Sequence, residues 1–111
     1  MKISKMLLSA ATIALIAGAG HAESHATSTS DKRIALSNNY AGNSWRQAML
    51  QSWEEMGSAA VSDGVVAAAD AYTTSESQAT EQAAQIQNLI LQGYDAIVIN
   101  AASPTALIGA V

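Results

Sequence analysis

Arg33-Ile34-Ala35-Leu36-Ser37-Asn38-Asn39-Tyr40-Ala41-Gly42-Asn43-Ser44-Trp45-Arg46 carries a strand signal and a helix signal back to back. Residues 34–36 form a short apolar run inside the segment 33–37, with charge before it and Asn38, Asn39 and Gly42 after it. That is the pattern of a buried strand closed by a polar loop. Beyond the loop, Trp45, Met49, Trp53 and Met56 recur at helical spacing on one face, while Arg46, Gln47, Glu54 and Glu55 mostly lie elsewhere. The spacing predicts an amphipathic helix capped by Asn43 or Ser44, with Gly57 at its fraying end and Asp63-Gly64 in the turn that follows.

The alternation then repeats. Residues 65–69 form a second apolar run closed by Asp70, a weaker strand signal because alanine has little β preference. Ser75 and Gln78 have capping-box spacing before Ala79, Ala83, Ile86 and Ile90, which share a helical face, and Gly93 stands where a terminating glycine belongs. Residues 96–99 give the clearest strand, residues 100–103 a loop, and residues 104–111 the opening of a helix with proline at an early position. Strands alternating with helices of this length predict an α/β fold, a doubly wound parallel sheet covered on both faces with right-handed crossovers.

Upstream, Lys2 and Lys5 precede an apolar run over residues 6–19, and Gly20, His21 and Ala22 supply small residues before Glu23. This predicts a signal peptide over residues 1–22, since the run is short for a membrane span. Residues 23–32 read as a flexible leader. His21 and His25 fall in these segments without carboxylate or cysteine company and make a poor metal site. The chain has no cysteine, which excludes disulfides, thiolate metal sites and a lipid anchor on cysteine. The expected product is exported, periplasmic and free of the membrane once cleaved. Its formal charge of −4 becomes −6 when Lys2 and Lys5 leave with the signal. So acidic a chain offers no footprint for nucleic acid and suits a neutral ligand. Because residues 104–111 open a helix without a C-cap, the expectation is a lobe truncated after about three β-α units.

In a doubly wound sheet, ligands bind beyond the carboxyl ends of the strands at the switch point. Two loops would meet there, 38–44 and 100–103. Asn38, Asn39 and Asn43 carry amides that both donate and accept, as sugar hydroxyls require. Tyr40 and Trp45 offer flat apolar faces for the C–H side of a sugar ring, and Arg46 adds fixed donors. Asn100 and Ser103 complete the set from the second loop. Each also has a plainer reading: the asparagines as turn formers, Trp45 as core, Arg46 as a solvated side chain, and Asn100 and Ser103 as caps. No G-x-G-x-x-G, P-loop or G-x-S-x-G pattern occurs, and Glu54 and Glu55 point apart on a helix, so neither catalysis nor a cofactor is expected.

With these residues in hand, the sequence resembles the sugar-type, ribose-binding-like substrate-binding proteins of bacterial ABC transporters. The resemblance runs through Lys32-Arg33-Ile34-Ala35-Leu36-Ser37-Asn38-Asn39 and Tyr40-Ala41-Gly42-Asn43-Ser44-Trp45-Arg46, then Ala79-Thr80-Glu81-Gln82 and Gln85-Ile86-Gln87-Asn88, and ends in Gly93-Tyr94-Asp95-Ala96-Ile97-Val98-Ile99-Asn100 with residues 101–106. It implies a type I periplasmic-binding-protein lobe over residues 33–111, about the first third of a typical member. Such proteins close two lobes on a sugar and hand it to a membrane permease and its ATPase, and some also engage a chemoreceptor. The resemblance carries a ligand role onto Asn38, Asn39, Tyr40 and Trp45. Ribose-type members often start the first helix with two consecutive aromatics, whereas this chain has Ser44 then Trp45. A sugar-sensing effector lobe, chemoreceptor-coupled or repressor-like, is the alternative; the predicted export and the lack of an upstream basic helix-turn-helix weigh against a repressor.

Overall fold

A computed structural model describes residues 27–111; the predicted signal segment, with His21 and His25, lies outside them. Five main elements follow in order: β1 (Arg33–Asn39), α1 (Ser44–Ser62), β2 (Ala68–Thr74), α2 (Ala79–Leu91) and β3 (Ala96–Asn100), with a short 3-10 turn at Ile108–Ala110. All strand pairings are parallel and the sheet order is β2-β1-β3. The chain therefore winds outward from a central β1 in both directions, which is the doubly wound arrangement. Among the described residues no helix is long and apolar enough to cross a membrane.

Successive strand residues face opposite sides. Ile34 and Ala69 look toward α1, where Trp53, Met56, Gly57 and Ala60 complete an apolar groove of about 270 Å³. Ala35, Tyr72 and Ile97 look toward α2 and pack with Leu89 and Tyr94; beside them, Ile86, Leu107 and Ala110 form a second buried cluster. The better-sealed core thus lies under α2. No residue of α1 is buried, and Trp45 and Met56 at the ends of its predicted apolar stripe are exposed.

Several local expectations are corrected. Gly57 does not end α1, which runs on to Ser62 through helix-favouring alanines. A Cβ at Gly57 would lie 2.9 Å from Ala69 Cβ, so this glycine lets the helix approach the sheet closely. β2 begins at Ala68, because the backbone of Val65 and Val66 is spent on the Ala60 carbonyl in the turn after α1. Asp70 consequently sits within the strand. The capping box of Ser75 and Gln78 is not formed: Gln78 occupies the cap position without a side-chain bond, and the Ser75 N–H donates to Glu81 instead. Leu89, not Ile90, fills the buried position on α2, and Ile90 is half exposed. Gly93 does terminate that helix, at φ +80°. Residues 104–111 form turns and one 3-10 segment; so short a run gains little from helix propagation, and Leu107 and Ala110 are instead held by packing on Ile86.

Asp70 is accommodated in its strand by Tyr94, whose hydroxyl donates to the carboxylate at 2.5 Å and lies 2.7 Å from the Tyr72 hydroxyl. The two rings meet edge to face, and the Arg33 guanidinium stands 4.3 Å from the Tyr94 ring centroid. Burial raises the Tyr94 phenol above its ordinary range, and the bond to Asp70 raises it further. The fold thus favours the neutral phenol. Its contribution is fully present below the unfolded tyrosine pKa of about 10 and is lost as pH rises above it. The urea midpoint should fall above pH ~10, and Tyr94→Phe should flatten that part of the profile; an unchanged slope in the variant would remove Tyr94 as the cause.

Candidate functional site

Because the strands are parallel, their carboxyl ends share one rim, and β1 is the switch point there. Asn38, Asn39 and Asn100, expected in loops, are strand residues. The β1 ladder extends through the pairings of Asn38 with Thr73 and Asn100, and of Asn39 with Thr74, so strand pairing holds them extended, on both sides for Asn38 and on one side for Asn39 and Asn100.

The side chains divide by what they already bond. Asn38 is fully buried; its Nδ2 donates to the Tyr40 carbonyl at 3.1 Å and to Thr73 Oγ1 at 3.3 Å, and its Oδ1 accepts from Asn100 Nδ2 at 2.8 Å. Asn43 caps α1, accepting from the Arg46 N–H at 2.9 Å. Ser103 Oγ accepts from the N–H groups of Thr105 and Ala106. These residues build the rim.

Asn39, Tyr40, Trp45 and Arg46 hold their polar or aromatic surface differently. Asn39 is buried, yet its Oδ1 has no partner. Tyr40 takes a left-handed backbone conformation, φ 68°, and its N–H donates to the Thr74 carbonyl at 3.0 Å. That conformation costs a tyrosine free energy and turns the chain so that the ring folds back over Gly42, where a Cβ would lie 2.1 Å from the tyrosine hydroxyl. The Arg46 guanidinium stands 5.7 Å from the Tyr40 ring centroid and 5.9 Å from that of Trp45. Its Nε is buried without a partner. Trp45 leaves 63% of its surface exposed at the first turn of α1. The rim therefore presents two aromatic rings with a guanidinium within 6 Å of each, a set suited to a small polar molecule with an apolar face.

Residues 34–111 match the model of the periplasmic binding protein domain. The chain belongs to the periplasmic binding protein family. Among solved structures it is similar to an ABC transporter solute binding protein from Thermobispora bispora, at 45% identity and a TM-score of 0.62. That alignment covers 69% of this chain and 24% of the solved one, so the chain spans about a quarter of that relative's length. A comparison with curated proteins gives no match.

In this periplasmic binding protein, the match begins at the second residue of β1 and takes in both rim loops. Two polar residues at the rim escape the sequence reading. Gln82, fully buried on α2, donates through Nε2 to the Ser37 carbonyl, Ser37 Oγ and the Asn100 carbonyl, and accepts through Oε1 from the Ala102 N–H at 2.7 Å. Its signal was positional, a polar residue on the stripe that holds Ala79, Ala83 and Ile86. Thr74 is buried at the end of β2 with its Oγ1 unpaired, and a threonine in a strand carries no sequence signal of that kind.

Proposed function

We propose that this chain is part of the solute-binding component of a sugar ABC transporter, capturing a neutral monosaccharide or polyol in the periplasm and delivering it to a membrane permease. Residues 1–22 then act as the export signal, and the protein works by binding, with no catalytic step and no cofactor. The observation that carries this reading is the grouping of Tyr40, Trp45 and Arg46 at the switch point of a periplasmic-binding-protein sheet. Aromatic faces cover the apolar side of a sugar ring, while amide and guanidinium groups serve its hydroxyls. The solved relative, named as an ABC transporter solute binding protein, supports the transport assignment. Charge agrees with it, because Arg46 sits in a chain of net charge −4, a poor frame for a polyanion.

Thermal denaturation of the gene's whole exported product against pentoses, hexoses and inositols tests this. A ligand that binds only the native state raises the melting temperature by mass action, by about 2.7 kcal/mol of stability at a hundredfold excess over Kd. One sugar or polyol is expected to produce a concentration-dependent rise. A flat response across the panel would reopen the ligand class.

A further inference from the structure

The loop between β1 and α1 keeps Tyr40 at φ 68°, a conformation that a tyrosine adopts only when its surroundings hold it there. Three successive backbone groups of that loop are tied by three different elements. The Tyr40 N–H donates to the Thr74 carbonyl of β2, and the Tyr40 carbonyl accepts from Asn38 Nδ2 of β1. The next carbonyl, that of Ala41, accepts from Gln47 Nε2 of α1. At the far end Asn43 is fixed by the helix start, its carbonyl accepting from the Gln47 N–H at 3.0 Å and its Oδ1 from the Arg46 N–H.

Most of these ties serve other ends as well. The bond to Thr74 continues the β1–β2 ladder, and Asn38 also bonds Thr73 and Asn100. Asn43 answers N–H groups that any helix start leaves over. The Gln47 side chain differs. It is exposed on α1, and its one hydrogen bond among the described residues is the bond to Ala41. An exposed side chain on a helix ordinarily contributes little to the fold. This one turns back across the helix start and fixes the peptide that joins Ala41 to Gly42, the glycine over which the Tyr40 ring folds. A tyrosine released from such ties leaves the left-handed region, and a ligand that needs one conformer binds more weakly as that conformer is depopulated.

We infer that Gln47 is a positioning residue of the rim site: it touches no ligand, and it holds the Ala41 carbonyl so that Tyr40 presents its ring beside Arg46 in a fixed pose. This rests on the proposed function, and adds to that site a residue that acts through Tyr40.

The test uses the gene's whole exported product. Gln47→Glu keeps the size and helix preference but loses the donor, and Gln47→Lys restores a donor on a chain of similar reach. Without ligand both should melt as the wild type does. Affinity for the stabilising sugar should fall about fivefold in Gln47→Glu, the size of one neutral hydrogen bond, and stay within about twofold in Gln47→Lys. On a Tyr40→Ala background, Gln47→Glu should cost no further affinity. A readout that needs no ligand is fluorine NMR of fluorotyrosine-labelled protein. The Tyr40 line, assigned with Tyr40→Phe, should shift or broaden in Gln47→Glu and return in Gln47→Lys. Equal affinity in the wild type and Gln47→Glu overturns this inference and leaves the proposed function standing. An equal loss with and without the Tyr40 ring overturns it too, because Gln47 would then act by another route. If the wild type binds nothing in the panel, the proposed function falls, and the fluorine line still decides: an unmoved Tyr40 line in Gln47→Glu overturns the inference.

Discussion

Replacing Gln82 by methionine is expected to destabilise the chain by about 3–5 kcal/mol, enough to unfold much of a domain whose total stability is about 5–15 kcal/mol. Methionine is close in volume, so the effect isolates hydrogen bonding from cavity formation. The Gln82 side chain ties the Ser37 carbonyl of β1, the Asn100 carbonyl of β3 and the Ala102 N–H of the following loop to one point on α2. Removing it takes a hydrogen-bond partner from all three in a site where Gln82 itself is fully enclosed. Each unpaired group costs about 1–3 kcal/mol. Gln85→Met is the internal control, because Gln85 Oε1 accepts only the Ser37 hydroxyl, at 2.6 Å, and its loss should be nearer 1 kcal/mol. Urea denaturation of both variants reads the difference. Losses of equal size would mean that water replaces the Gln82 bonds.

The residues that Gln82 joins mark where sequence reading stops. Ile34 to Leu36, Ile97 to Ile99 and the stripe through Ala83 and Ile86 carry pattern, and that pattern locates β1, β3 and α2 and implies the parallel sheet. It works because burial of a repeating face is a local property. Hydrogen-bond commitment is a tertiary one. Asn38 and Asn39 are the same residue type side by side, and only the pleat, sending one to the α1 face and the other to the α2 face, gives them different work. The failed capping box has the same origin: Ser75 and Gln78 have the required spacing, but Ser77 takes φ +57° between them and redirects the chain. Likewise Gly57 reads as a helix end in isolation, and its close contact with Ala69 comes from a strand beyond the next turn. The sequence pattern puts alanine-rich β2 too early because residues 65–69 are as apolar as the strand itself, and only pairing with β1 decides between registers.

The rim residues can be sorted by two substitutions with opposite signatures. Asn38→Ala is expected to lower stability by about 2–4 kcal/mol in the absence of any sugar, because it strips partners from the Tyr40 carbonyl, Thr73 Oγ1 and Asn100 Nδ2 at a fully buried position. Part of that loss passes to the proposed ligand site, since the Asn38 bond to the Tyr40 carbonyl helps hold the tyrosine in its left-handed conformation. Trp45→Ala should leave stability within about 0.5 kcal/mol, as expected for a largely exposed side chain, yet weaken sugar binding about tenfold, or ~1.4 kcal/mol. The contrast follows from where each group sits: Asn38 finds its partners inside the sheet, and Trp45 leaves 63% of its surface exposed. Urea melts without ligand and titration calorimetry with it separate the two effects. Asn38→Ala with wild-type stability but no binding would make Asn38 a ligand contact after all, and Trp45→Ala with wild-type affinity would leave Tyr40 as the aromatic face of the site.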